Sequence, residues 1–215
     1  MNQNTKRLTL TAMLCALAYV AVALIRIPMV LFLKYEPKDV IIVLGGLMLG
    51  PVSSLIISLV SSLVEMVTIS DTGLWGLLMN VIGSCAFALP AAILYQKRHT
   101  MKGAVTGLIT GVFTMAAMMM LWNYLITPIY MGTPREVVAG MLIPYFLPFN
   151  LLKGGINMAL TLLLYKPLIT ALRKAHILEG TKEQQKVKFS VGLLVLAVVL
   201  LAACILLALA LGGKI

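Results

Sequence analysis

Apolar runs recur along this chain at lengths that cross a bilayer, and that recurrence restricts the fold more than any single motif does. A hydrocarbon layer takes roughly 20 helical residues to span, and a backbone inside it must satisfy its own hydrogen bonds. The expected spans are 8–28, 40–50, 52–69, 75–96, 103–128, 138–166 and 189–211, the second being short or tilted. Hydrophobic residues make up 61% of the 215 positions and charged residues 11%. With a mean hydropathy of +1.03, an ordinary soluble domain is excluded. The expected fold class is all-α integral membrane: six spans in one body and a seventh appended.

Positive charge gives the orientation. Lys6 and Arg7, then Lys97, Arg98 and Lys102, then Lys166, Arg173, Lys174, Lys182, Lys186 and Lys188 fall on one side of alternating spans. Cytoplasmic loops collect such residues, so that side, with the N-terminus, is assigned to the cytoplasm. The net charge of +10 is then mainly a topology signal. Its residues sit at membrane edges and form no stripe interleaved with aromatics, so nucleic acid is not expected as a partner. Lys6 and Arg7 ahead of a run ending near Ala21, Val22 and Ala23 also fit a cleaved signal peptide. A multispan chain needs no separate export signal, so an uncleaved first span is expected. Cys15, Cys85 and Cys204 each lie within a span, without metal-ligand spacing, and read as packing residues.

Several polar groups lie where lipid or protein would surround them. Ala12 and Ala16 form a small-xxx-small pattern in the first span, suited to internal packing or to a partner helix. The stretch LKYEPKDV crowds Lys34, Tyr35, Glu36, Lys38 and Asp39 into a connection broken by Pro37, a solvated turn by default or a lid. Glu65 lies about one turn from the end of span three, with Ser61 and Ser62 on an inward polar stripe. An intramembrane carboxylate is a functional candidate. Asn80 in span four suits a structural hydrogen bond or a ligand contact. Trp122 and Tyr124 flank Asn123 at the end of span five, where aromatics also form an interfacial belt.

Span six carries PFNLLKGG. Pro144 and Pro148 interrupt its outer half, and Asn150, Lys153 and Asn157 follow on one helical face. Interrupted helices at membrane depth are tolerated where they are buried in protein or line a cavity. An unpaired ammonium there costs roughly 2.5–3.5 kcal/mol, so Lys153 should face the interior and find acceptors: Asn80, Asn123, Glu65 or a ligand. Asn amides donate and accept together, matching an imide or amide edge on a planar ligand. Trp122, Tyr145, Phe146 and Phe149 are candidates to enclose its ring.

No HExxH, GxSxG or GxxxxGK[ST] occurs, and His99 and His176 sit in basic segments, so catalysis by this chain is not expected. A channel would need a through-path of polar groups, whereas these cluster toward one face. Taken together, PFNLLKG followed by an apolar run and Tyr165-Lys166, LKYEPKDV after span one, Gly50-Pro51, Asn80 and Asn123-Tyr124 resemble the S components of energy-coupling factor (ECF) vitamin transporters, and the riboflavin-specific S component in particular. The resemblance covers about residues 6–175. It implies a compact six-helix S-component bundle as a substrate-binding domain over 1–175, leaving 176–188 as a basic cytoplasmic linker and 189–215 as an additional transmembrane helix and short tail. It also implies that riboflavin is bound as transported ligand, with no cofactor. Asn123, Asn150 and Lys153 would hold the flavin ring, with Asn80, Glu65, Trp122 and Phe149 in the site. The 29–39 loop, with Tyr35 and Glu36, would be the lid. Ala12 and Ala16 would dock on a transmembrane coupling subunit, and two cytoplasmic ATPases would supply energy in a bacterial cell membrane. Ser61, Ser62, Glu65 and Leu77 depart from the residues expected at those places, which leaves open another vitamin or heterocycle. A membrane assembly subunit whose polar residues only join helices is the alternative of another class.

Overall fold

The structure is a computed structural model that describes residues 3–30, 33–174 and 191–211. The expected linker at 176–188 and the tail beyond 211 lie outside the described residues. Helix α1 (Gln3–Leu24) leads into strands β1 (Ile27–Val30) and β2 (Leu33–Tyr35), and helices α2 (Lys38–Leu49), α3 (Pro51–Thr68), α4 (Gly73–Arg98) and α5 (Met101–Leu125) follow. Short helices α6 (Thr127–Met131) and α7 (Arg135–Met141) precede a π-helical turn at Leu142–Phe146, long helix α8 (Leu147–Lys174) and finally α9 (Val191–Leu211).

Five helical segments among the described residues are long and apolar enough to cross a membrane: α1, α3, α4, α5 and the continuous rod from Arg135 to Leu172. Helix α2, with 12 residues, rises only about 18 Å and is shorter than a full crossing. It is nevertheless the most enclosed element, every residue from Lys38 to Leu49 being buried except Ile41. Its neighbours reach it closely because Gly45 and Gly46 carry no Cβ: one added at Gly46 would lie 2.5 Å from Ser54 Oγ. Gly50 takes φ +99°, which favours glycine, and Pro51 at the first turn restarts the chain as α3 without a loop.

The tightest helix pair is α4 with α5. A Cβ on Gly111 would stand 2.3 Å from the Phe87 carbonyl oxygen, and one on Gly107 2.9 Å from the Ala91 backbone. Lipid supplies little drive for two helices to associate, so such backbone approach provides the packing that holds them.

The all-helical expectation needs one amendment. Residues 27–30 and 33–35 pair as antiparallel strands, Ile27 opposite Tyr35 and Pro28 opposite Lys34. The β-branched and aromatic residues there favour a pleated surface, and Pro28 and Pro37 keep helix from running through. The expected solvated connection at 29–39 also fails at its C-terminal end. Lys38 and Asp39 open α2 and are buried, at 0% and 1% exposure. The expected interruption by Pro144 and Pro148 takes the form of a π-helical turn: Pro144 lies within it and Pro148 follows at the start of α8, while the rod continues through both.

Candidate functional site

A cavity of about 420 Å³ opens between the hairpin, the α3–α4 connection, α5 and α8. Its lining combines apolar Met79, Met115, Met119 and Phe149 with polar Asn80, Asn123, Asn150 and Lys153. That size and mixture suit a small organic ligand.

Helix α8 supplies Asn150 and Lys153 one turn apart. The Asn150 amide donates to the Phe146 carbonyl at 2.8 Å, in the π-helical turn, so its oxygen and one N–H remain for other partners. Asn123 is held comparably on α5. It donates to the Met119 carbonyl at 2.7 Å and accepts from Thr127 Oγ1 at 2.9 Å, which leaves one further donor and one lone pair. Both amides are buried and both line the cavity.

The charges form two linked clusters. Lys153 Nζ lies 3.0 Å from Asp39 Oδ2. Asp39 also accepts from Ser84 Oγ, at 2.5 Å, and from Asn157 Nδ2, at 3.3 Å. The second cluster joins Arg26, Glu36, Lys38 and Glu65. Arg26 Nη2 donates to Glu65 Oε1 at 2.9 Å, and its Nε stands 3.2 Å from Glu36 Oε1, close enough for ion pairing without hydrogen-bond alignment. Lys38 donates to Glu65 and lies 3.3 Å from Glu36. Asn80 Nδ2 completes the Glu65 shell at 3.2 Å. Arg26, Lys38 and Lys153 thus face Glu36, Asp39 and Glu65, so the buried charges balance inside the protein. Balance is what permits them: a buried pair is tolerated when its members are matched and hydrogen-bonded.

Of the residues singled out in the sequence, Asn123, Asn150, Lys153, Asn80, Glu65, Glu36 and Phe149 line the cavity. Tyr35 and Trp122 do not. Tyr35 turns its hydroxyl to Asn157 Oδ1 at 2.9 Å, and burial with the Asp39 charge nearby pushes that hydroxyl well above the usual phenol range, so it stays a neutral donor. Trp122 packs into the core with its indole N–H unmatched among the described residues. Tyr145 and Phe146 are likewise outside the lining, so Phe149 alone of the four expected aromatics meets the cavity. Lys153 takes Asp39 as its acceptor, and Glu65 belongs to Arg26 and Lys38.

Arg26, Lys38 and Asp39 escaped the sequence reading as members of the site. The available signal was their position: each abuts an apolar run where solvent is scarce, and cations and carboxylates lie close together there. Ala12 and Ala16 are exposed on α1, while Thr11, Leu14, Cys15 and Ala18 face inward. Neither is packed against another of the described helices as an interior residue.

Fold and site together define a multispan helical membrane protein with a cavity of small-molecule size among its described helices. Comparison with known proteins narrows this further. Residues 6–165 match the family described as ECF transporter, substrate-specific component, and the chain belongs to that family. It is 30% identical over 194 residues to the riboflavin transporter FmnP of Bacillus subtilis (strain 168), covering 81% of this chain and 99% of that protein. It is 26% identical over 182 residues to the riboflavin transporter RibU of Staphylococcus aureus (strain TCH60), covering 80% and 95%. Among solved structures, the S component of a bacterial ECF transporter superposes with a TM-score of 0.68 at 29% identity, over 79% of this chain and 99% of that one. The chain is thus a multi-pass membrane protein and a transporter's substrate-specific component, a binding role and not an enzymatic one.

Proposed function

We propose that this protein captures riboflavin in the cavity between the hairpin, α5 and α8, and presents it for import driven by partner subunits. The observation that carries the reading is that Asn123 and Asn150, each with a spare donor and a spare acceptor, line that cavity together with Lys153. The edge of a flavin's pyrimidine ring alternates carbonyl and N–H, which two such amides and an ammonium match. Met79, Met115, Met119 and Phe149 offer adaptable apolar contact to the ring faces. The riboflavin transporters among the relatives support the same ligand.

The Lys and Arg distribution supports a cytoplasmic N-terminus, which puts the hairpin and the cavity mouth on the outer face. Family membership supports a transmembrane coupling subunit and cytoplasmic ATPases as partners, with the exposed Ala12 and Ala16 on α1 as docking positions.

The test is an absorbance spectrum of the detergent-purified protein, followed by titration with riboflavin read by quenching of flavin fluorescence. Saturable quenching near one to one is expected. Asn150→Ala should weaken binding by roughly 5- to 150-fold, the effect of about 1–3 kcal/mol for a buried edge left without its partner. Asn150 is the better probe than Lys153, whose removal would also strip Asp39 of its counter-ion. A folded protein that ignores riboflavin would refute the ligand and redirect the search to other heterocycles.

A further inference from the structure

We infer that α9 is a strap on the hairpin: packed against both α8 and β1, it holds the strand pair at the cavity and slows the passage of ligand in and out. The inference rests on the riboflavin reading above only for its kinetic probe. It concerns a segment beyond the family match, which stops at residue 165, whereas α9 begins at Val191. The 21 residues of α9 rise about 31 Å alongside α8. Ala197 is buried, and Leu200, Leu201, Cys204 and Ala208 are half-buried, so one face at helical spacing turns inward. Val195, Val198, Val199 and Leu206 remain exposed. Small residues let the two helices approach closely: a Cβ added to Gly155 would lie 2.8 Å from Cys204 Sγ.

The strand that α9 meets is β1. Leu33 and Lys34 of β2 line the cavity, whereas no residue of β1 does. The pair therefore has the cavity on its β2 side and α9 on its β1 side. Strands of four and three residues are marginal by themselves, so this pair depends on what it packs against. Tyr35 ties β2 to α8 through its hydroxyl on Asn157, at 2.9 Å, and Arg26 and Glu36 join the flanking chain at 3.2 Å. The support from α9 is of another kind: an apolar helix that β1 must displace or slide past when the pair lifts. Support that favours the docked pair equally with the cavity empty or filled slows entry and release by the same factor. It leaves the dissociation constant unchanged, because only a difference between the two states could shift it.

Two full-length variants move α9 in opposite senses. Gly155→Cys puts a Cβ 2.8 Å from Cys204 Sγ, near the roughly 3 Å between those atoms in a disulfide. Diamide, which takes up the two thiol hydrogens, should then lock α9 to α8, and dithiothreitol should release it; oxidised wild type is the control. Ala197→Trp forces a large ring into a buried position and should push α9 outward. Stopped-flow quenching of flavin fluorescence reads riboflavin entry and release, and hydrogen–deuterium exchange reads the amides of β1 and β2 in the ligand-free protein. Locking should slow both rates roughly fivefold or more, and displacement should speed both by a like factor, the equivalent of about 1 kcal/mol of support for the hairpin. Kd should stay within about twofold, and strand exchange should slow and quicken in step with the rates. Unchanged rates and unchanged exchange in both variants would overturn the strap. So would a change in Kd carried by release alone, because α9 would then shape the loaded site. If riboflavin fails to bind even the wild type, the ligand assignment falls, while strand exchange still decides for or against the strap.

Discussion

Replacing Asp39 by asparagine tests whether the interior is held by matched charge. The substitution keeps the shape and an acceptor for Ser84, but it deprives Lys153 of a counter-ion 3.0 Å away. Removing one member of a buried pair costs about 3–5 kcal/mol. The Lys153 side chain is 17% exposed, toward a cavity that water can enter, so the lower end applies, about 3 kcal/mol. For a chain of this size each kcal/mol moves the melting temperature by roughly 2–4 °C, so a fall of roughly 6–12 °C is expected. The assay is thermal unfolding of the ligand-free protein in detergent, followed by tryptophan fluorescence. The double variant Asp39→Asn/Lys153→Met removes the orphaned ammonium as well and should recover more than half of the loss, because a missing pair costs less than a broken one. A single variant that melts within about 1 °C of wild type, or a double variant no more stable than the single, would refute the account of the pair.

Gly111→Ala should destabilise the α4–α5 contact, since its Cβ would meet the Phe87 carbonyl at 2.3 Å and backbone cannot swing aside as a side chain can. A loss of about 1–3 kcal/mol by the same unfolding assay is expected, and a neutral result would show that the two helices pack less closely than described. Ala12→Leu and Ala16→Leu should leave riboflavin titrations unchanged and impair uptake by the assembled transporter in cells, because both residues are exposed and outside the cavity. Loss of binding in these variants would place α1 in the site instead.

Much of this architecture was legible because membrane backbone chemistry is local. A helix in lipid closes its hydrogen bonds within a few residues, so apolar length alone marks its span. The runs around α1, α3, α4 and α5 and the rod containing α8 could therefore be read directly, as could the shared face of Asn150 and Lys153 one turn apart. The family resemblance over about 6–175 agrees with the family match over 6–165. The hairpin was hidden because a short pair of strands between prolines has no lengthwise period to detect. Asp39 and Lys38 were hidden for a different reason. A charged pair beside a proline has the composition of a solvated turn, and only the enclosure of α2 by its neighbours makes it interior.

Partner choice is where sequence ended and tertiary structure began. The chain by itself determined that Lys153, Glu65 and the spans' amides had to be satisfied inside the protein, because charge in lipid is costly wherever it lies. It did not determine with what. Lys153 meets Asp39 across 114 positions of chain, and Glu65 meets Arg26 and Lys38 on other elements. Those matches depend on helix rotation and on the entry of a short, almost wholly buried α2 into the bundle, which are set by packing among many side chains. The same packing leaves the amides of Asn123 and Asn150 at an open cavity, each with hydrogen-bonding capacity that its contacts within the helix do not use up.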